Sequence, residues 1–138
     1  MYSWKEKSIL IVDDDPTSRL LLREFLKSTG IQIHVAYNGQ MAFEESIQTT
    51  NIHVVIMDIR MPVMDGLEAA RLIKKYRPEL PIIIYTAINN PEYKFLFKKV
   101  KCEEFLVKPS SIHHILGVLS KYLDEQPEMS KADKYFWS

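Results

Sequence analysis

One cysteine, Cys102, stands among 138 residues, so an internal disulfide is impossible and a cysteine-based zinc site lacks its ligands. That residue reads as a small packing side chain. Basic blocks are missing as well. No run of five Lys or Arg occurs, and 18 basic residues balance 18 acidic ones, which leaves no electrostatic footprint for nucleic acid or anionic lipid. Long apolar runs are the third absence. The opening "MYSWKEKSILIVDDD" carries only a four-residue apolar run before its acids, short of a signal-peptide core or a membrane span, and the expectation is a cytoplasmic location without membrane insertion. No internal repeat is visible.

What is there belongs to a globular domain: 46% of residues are hydrophobic and 26% charged, and the length suits one unit rather than two. Three runs rich in Ile and Val, "SILIV" (8–12), "HVVIM" (53–57) and "PIIIY" (81–85), are apolar throughout, as strands covered on both faces of a parallel sheet must be. Two weaker runs, "IQIHVAY" (31–37) and "EFLV" (104–107), suit strands nearer a sheet edge. Helical patterns lie between them. The first follows Asp15 as cap and Pro16 at the first turn, shares Ser18, Leu21, Leu22, Phe25 and Leu26 on one face, and exits at Gly30. Others run over 40–48 (Ala42, Phe43, Ile47), 65–76 (Ala69, Ile73, Tyr76), 91–100, and from Ser111 with the stripe Ile112, Ile115, Leu116, Leu119 and Leu123. Strands alternating with helices predict a doubly wound α/β sandwich with helices on both faces.

In such sheets the ligand site lies beyond the carboxyl ends of the strands. Those ends carry Asp13, Asp14 and Asp15, then Asp58, Thr86 and Lys108, so every polar candidate lands on one rim. Clustered carboxylates repel one another unless a cation joins them, which points to a hard divalent ion such as Mg2+. A carboxylate can also attack phosphorus, with the metal, a lysine and a hydroxyl neutralising charge. On that reading the strand ends on Asp58 so that its carboxylate is rigidly aimed at an incoming phosphoryl group.

Four motifs at the strand ends, "ILIVDDDP", "MDIRMPVMDG", "YTA" and "FLVKP", resemble the receiver domain of two-component response regulators, and the resemblance covers about residues 7–123. It implies a flavodoxin-like (βα)5 fold, a three-layer sandwich with strand order 2-1-3-4-5. It further implies that Asp58 is the phosphoacceptor. Asp13, Asp14, Asp58 and the backbone carbonyl of Arg60 would hold Mg2+ or Mn2+. Thr86, Ala87 and Lys108 would contact the phosphoryl group, and Thr86 and Phe105 would form a switch that reshapes the face of the fourth helix, fifth strand and fifth helix. Phe105 also suits a plain core aromatic. The partners implied are a histidine kinase or histidine phosphotransfer protein, and a downstream protein; a homodimer is compatible with the family.

Three departures from the family pattern bear on behaviour. Lys101 and Cys102 replace the usual Gly-Ala pair, so the loop before the fifth strand is expected to differ. Arg60 and Ile88 stand at positions that, by the resemblance, flank the path of the hydrolytic water, and their bulk is expected to slow dephosphorylation. The segment 124–138 is too short for an output domain, which suggests a receiver of residues 1–123 acting alone. The alternative is the terminal receiver of a hybrid kinase or larger regulator. From other classes, an Asp-nucleophile phosphatase would place a second Asp where Arg60 stands, and a module that never takes phosphate would be expected to have lost a site residue. The four histidines read as structural or surface groups, and Tyr135, Phe136 and Trp137 as a docking peptide or a terminus that folds back or frays.

Overall fold

The computed structural model describes residues 2–124; the aromatic group at 135–137 lies outside them. Five strands, β1 (Ser8–Val12), β2 (Gln32–Ala36), β3 (Val54–Met57), β4 (Ile82–Thr86) and β5 (Glu104–Val107), form one parallel sheet in the order β2-β1-β3-β4-β5. The helices are α1 (Pro16–Leu26), α2 (Gly39–Gln48), α3 (Gly66–Tyr76), α4 (Pro91–Lys99) and α5 (Ile112–Leu123).

Why the three central strands are apolar throughout follows from which face each residue serves. Ile9, Ile11, Val54, Ile56, Ile83 and Tyr85 pack with Leu22 and Leu26 of α1 and Ile115 and Leu119 of α5. Their alternating neighbours Leu10, Val12, Val55, Met57, Ile82 and Ile84 face Ala42 of α2, Ala69 and Ile73 of α3 and Phe97 of α4. A strand with two dry faces has no position for a polar residue until it ends. The mixed runs are the edges β2 and β5.

Each helix begins with a side-chain cap. Asp15, Asn38, Asp65, Asn90 and Ser111 accept backbone N–H groups of α1 to α5 in turn, satisfying donors that the first helical turn leaves free. At its exit α1 tightens into a 3-10 turn, Lys27–Thr29, before Gly30 takes φ +74°, where an added Cβ would meet the Lys5 side chain.

Several side chains depart from their expected faces. Leu21, Ile47 and Tyr76 are exposed, and Ser46 takes the buried place on α2 by returning its hydroxyl to the Ala42 carbonyl. The helical stripe is simply narrower than the pattern suggested. On α4, Phe97 enters the core while Phe95 is 65% exposed and Tyr93 lies between. The N-terminal segment adds an unforeseen core residue: Trp4 is buried against the α1/α5 layer, and its indole N–H donates to Asp124 just past α5.

The loop after α4 keeps the left-handed turn without glycine. Lys101 adopts φ +73°, its N–H bonds the Lys98 carbonyl, and the Cys102 N–H reaches back to Phe97. This pair of bonds is a Schellman ending, so the carbonyls are satisfied at the expense of backbone strain on Lys101.

Candidate functional site

Strand order reverses between β1 and β3, and the crevice beyond their carboxyl ends is the switch point where such sheets place their chemistry. Asp13 leaves β1 with its N–H on the Ala36 carbonyl, and Asp58 leaves β3 with its N–H on the Val12 carbonyl. Both carboxylates therefore start from backbone that the sheet fixes. Lys108 leaves β5 in the same way, its N–H on the Thr86 carbonyl at 2.7 Å, followed by a cis peptide bond to Pro109.

The three side chains meet. The Lys108 ammonium donates to Asp13 Oδ2 at 2.7 Å and to Asp58 Oδ2 at 3.1 Å, with the Ser18 hydroxyl at 3.3 Å. The remaining oxygens are committed to backbone: Asp13 Oδ1 accepts from the Asp15 N–H and Asp58 Oδ1 from the Ile59 N–H. Burial works against the ammonium, but its hydrogen bond to Asp13 and the charges of Asp58 and Asp13 outweigh that and raise the Lys108 pKa. Lys108 stays charged across the neutral range.

Asp14 stands exposed on the same loop with no side-chain partner among the described residues. Asp13 and Asp58 share the one Lys108 ammonium, and the exposed Asp14 adds a further negative charge to the same loop, a surplus that suits a divalent cation. Among the described residues no three His, Cys, Asp or Glu groups converge into a finished metal cage. An oxygen set this sparse fits Mg2+, which takes one or two carboxylates and fills the rest with water and phosphoryl oxygens.

The loop after β3 is shaped around the same point. Gly66 opens α3 so close to the Asp58 carbonyl that a Cβ there would collide with it, and its N–H closes the loop onto the Ile59 carbonyl at 2.7 Å. Arg60 is exposed beside Asp58.

The other expected residues sit farther from the ion pair. Thr86 is buried at the end of β4, its hydroxyl accepting from the Ile88 N–H at 3.3 Å; Ala87 is exposed and Ile88 packs on the α2/α3 layer. Phe105 is half-buried, its ring 5.9 Å from Phe97 and 5.8 Å from the Lys94 ammonium. Asp15 caps α1 and is no part of the ion pair, and bonds from the Thr17 N–H and the Ser18 hydroxyl lower its pKa.

Sequence reasoning missed three contributors. Ser18, which the pattern groups with the apolar face of α1, turns its hydroxyl back to the Asp15 carboxylate and toward Lys108, and its place three positions after a cap is the available signal. Tyr85 underlies Lys108, ring centroid 5.5 Å from the ammonium, while its hydroxyl accepts from the Ser110 N–H. Arg19 reaches the Asp13 carbonyl from α1 at 2.8 Å, a contact that no local pattern announces.

A profile of the response regulator receiver domain matches residues 9–120. The chain belongs to that family. Hybrid signal transduction histidine kinase M of Dictyostelium discoideum is 32% identical over 119 residues, which cover 82% of this chain and 5% of that protein. Among solved structures, the response regulator TrrA of Thermotoga maritima, in complex with Mg2+-BeF, is 35% identical with a TM-score of 0.76, covering 85% of this receiver chain and 99% of that one. The receiver domain of Ssk1 from Saccharomyces cerevisiae, crystallised with the histidine phosphotransfer signaling protein Ypd1, is 25% identical with a TM-score of 0.80 over 91% of this chain and 94% of that one. The chain spans 5% and 27% of the first two curated relatives it matches. It is a receiver domain of the two-component and phosphorelay class, and no described helix is long and apolar enough to cross a membrane.

Proposed function

We propose that Asp58 is the phosphoacceptor, taking a phosphoryl group from the phosphohistidine of a histidine kinase or phosphotransfer protein in the cytoplasm. The observation that carries this is the Lys108 ammonium shared between Asp13 and Asp58 at the switch point of the sheet. A carboxylate oxygen of Asp58 bonds to phosphorus while the phosphorus–nitrogen bond of the donor breaks, and the imidazole keeps that electron pair and gains a proton. Mg2+, when bound, supplies charge neutralisation for the transferring group. Asp13, Asp14, Asp58 and the Arg60 carbonyl would hold it. Lys108 neutralises a phosphoryl oxygen, and Thr86 and the backbone at Ala87 bond others.

The readout follows from where Thr86 sits. Its hydroxyl bonds only the Ile88 N–H at 3.3 Å among the described residues, so a phosphoryl oxygen can draw it inward at small expense. Phe105, half-buried beside α4, then turns toward the vacated space, and the face of α4, β5 and α5 changes for a downstream protein. Arg60 and Ile88 line the approach of water and slow loss of the phosphoryl group. Because the chain spans so little of its relatives, a second reading makes it the receiver of a hybrid kinase or larger regulator; the chemistry at Asp58 is the same in both.

Amide spectra recorded with beryllofluoride and Mg2+ test the switch. The expected changes centre on Asp58 and extend through Thr86 to Phe105. Spectra unchanged at all three positions would contradict phosphate-driven switching and favour an interaction module that never takes phosphate.

A further inference from the structure

We infer that Arg19 is a positioning residue for the divalent cation, acting through the peptide unit that joins Asp13 to Asp14. The inference rests on reading those carboxylates as metal ligands. Its observation is independent of that reading: one guanidinium ties together three separate segments. From the second turn of α1, Arg19 Nη1 donates to the Asp13 carbonyl at 2.8 Å, and the guanidinium carbon lies 4.4 Å from the centroid of the Tyr37 ring, in the loop after β2.

The consequence falls on Asp14. A peptide unit is planar, so the direction of the Asp13 carbonyl also fixes the direction in which the chain enters Asp14. Asp14 has no side-chain partner of its own among the described residues, whereas Asp13 is held by the Asp15 N–H and Lys108. Whatever orients the Asp14 carboxylate must therefore come through the main chain. Arg19 supplies it from one side and the Asp15 cap of α1 from the other. Contact with the Tyr37 ring in turn limits where the guanidinium can go, and a planar fork loses less freedom in such a contact than an ammonium on a flexible stem.

Two effects oppose each other here. The positive charge of Arg19 repels an incoming cation, while its hydrogen bond spares the loop from being ordered on binding. We assign the larger share to ordering, because the guanidinium is already engaged by a carbonyl and a ring, and fixing one residue of backbone corresponds to about tenfold in affinity. Loss of an outer-shell partner has a similar reach.

Calorimetric titration with magnesium chloride alone reads the sign directly, with the unfolding midpoint of each metal-free variant measured in parallel. Arg19→Ala is expected to bind about tenfold more weakly. Arg19→Lys, which keeps the charge and loses the planar fork, is expected to fall between it and the wild type. Tyr37→Leu, at an exposed loop position, is expected to weaken binding by a smaller factor and supplies the test if Arg19→Ala does not fold. Variants that bind as tightly as a magnesium-binding wild type, or tighter as charge removal alone would give, overturn the inference and leave the metal site standing. A wild-type chain that takes no magnesium overturns both.

Discussion

Among the described residues two non-glycine positions hold left-handed backbone, and each sets local strain against different surroundings. Lys101, at φ +73°, ends α4 where the two Schellman bonds need that geometry. Lys101→Gly is expected to raise the unfolding free energy by about 0.5–1 kcal/mol, the relief of a strained side chain less the added freedom of the unfolded glycine. Denaturant melts at constant slope would check it. Val63, at φ +70°, is 83% exposed in the loop after β3, so burial does not offset its strain, and Val63→Asn should move stability in the same direction. His53 gives a pH dependence. Burial and then the nearby charges of Lys7 and Arg77 lower its pKa from 6.5, and its Nδ1 accepts the Ser8 N–H, a bond that protonation there removes. The unfolded chain therefore binds a proton first as pH falls below neutrality, and the stability contributed at His53 is lost from about pH 6.5 downward. His53→Gln should flatten that part of the stability profile, as urea midpoints between pH 5 and pH 7.5 would show. Cys102 lies close to its sequence reading: burial pushes its thiol up to about 12, and it packs with the α2/α3 layer.

At the scale of elements, what could be read in advance and what could not separate by whether the signal was local. Caps, Pro at the first turn and unbroken apolar strands are local, and Asp15, Pro16 and the run 82–86 behave accordingly. The weak pattern of 91–100 became α4 because Asn90 caps it and Phe97 alone anchors it, so its boundaries were clearer than its buried face. Contacts between distant segments leave no such trace. Arg77 donates to the carbonyls of Ser46, Thr50 and Ile52, joining the end of α3 to the end of α2. Lys74, largely covered, bonds both oxygens of Glu103 at 2.8 Å and the Leu80 carbonyl, while Glu103 also accepts the Ile82 N–H. This clip fixes the starts of β4 and β5, far along the strands from Asp58. Lys74→Ala is expected to lower stability by about 3 kcal/mol, because it leaves a partly buried carboxylate without its cation. Phosphorylation should be retained, and a thermal melt paired with a labelling assay would separate the two effects.

For the whole molecule, the two-faced sheet explains why residues read at separate strand ends, Asp13, Asp58 and Lys108, lie together. A sheet dry on both sides concentrates polar side chains where its strands stop, and reversal of strand order opens a crevice at β1 and β3. Asp13, Asp58 and Lys108 were legible for that reason. Their pairing was not, since it depends on how far β5 stands from β1 across the sheet. Nor was the role of Trp4, whose burial against α5 is set by the path of the N-terminal segment. The bulk at Arg60 and Ile88 carries a separate expectation: a variant with small polar residues at both positions should lose its phosphoryl group several-fold faster, and equal lifetimes would refute that role.

Phosphoryl acceptance at Asp58 is read from the intact mass after incubation with acetyl phosphate and Mg2+. One added phosphoryl group is expected on the wild type, none on Asp58→Asn, and none when a chelator removes the metal. An adduct that persists on Asp58→Asn, or that forms equally well without the metal, would contradict it.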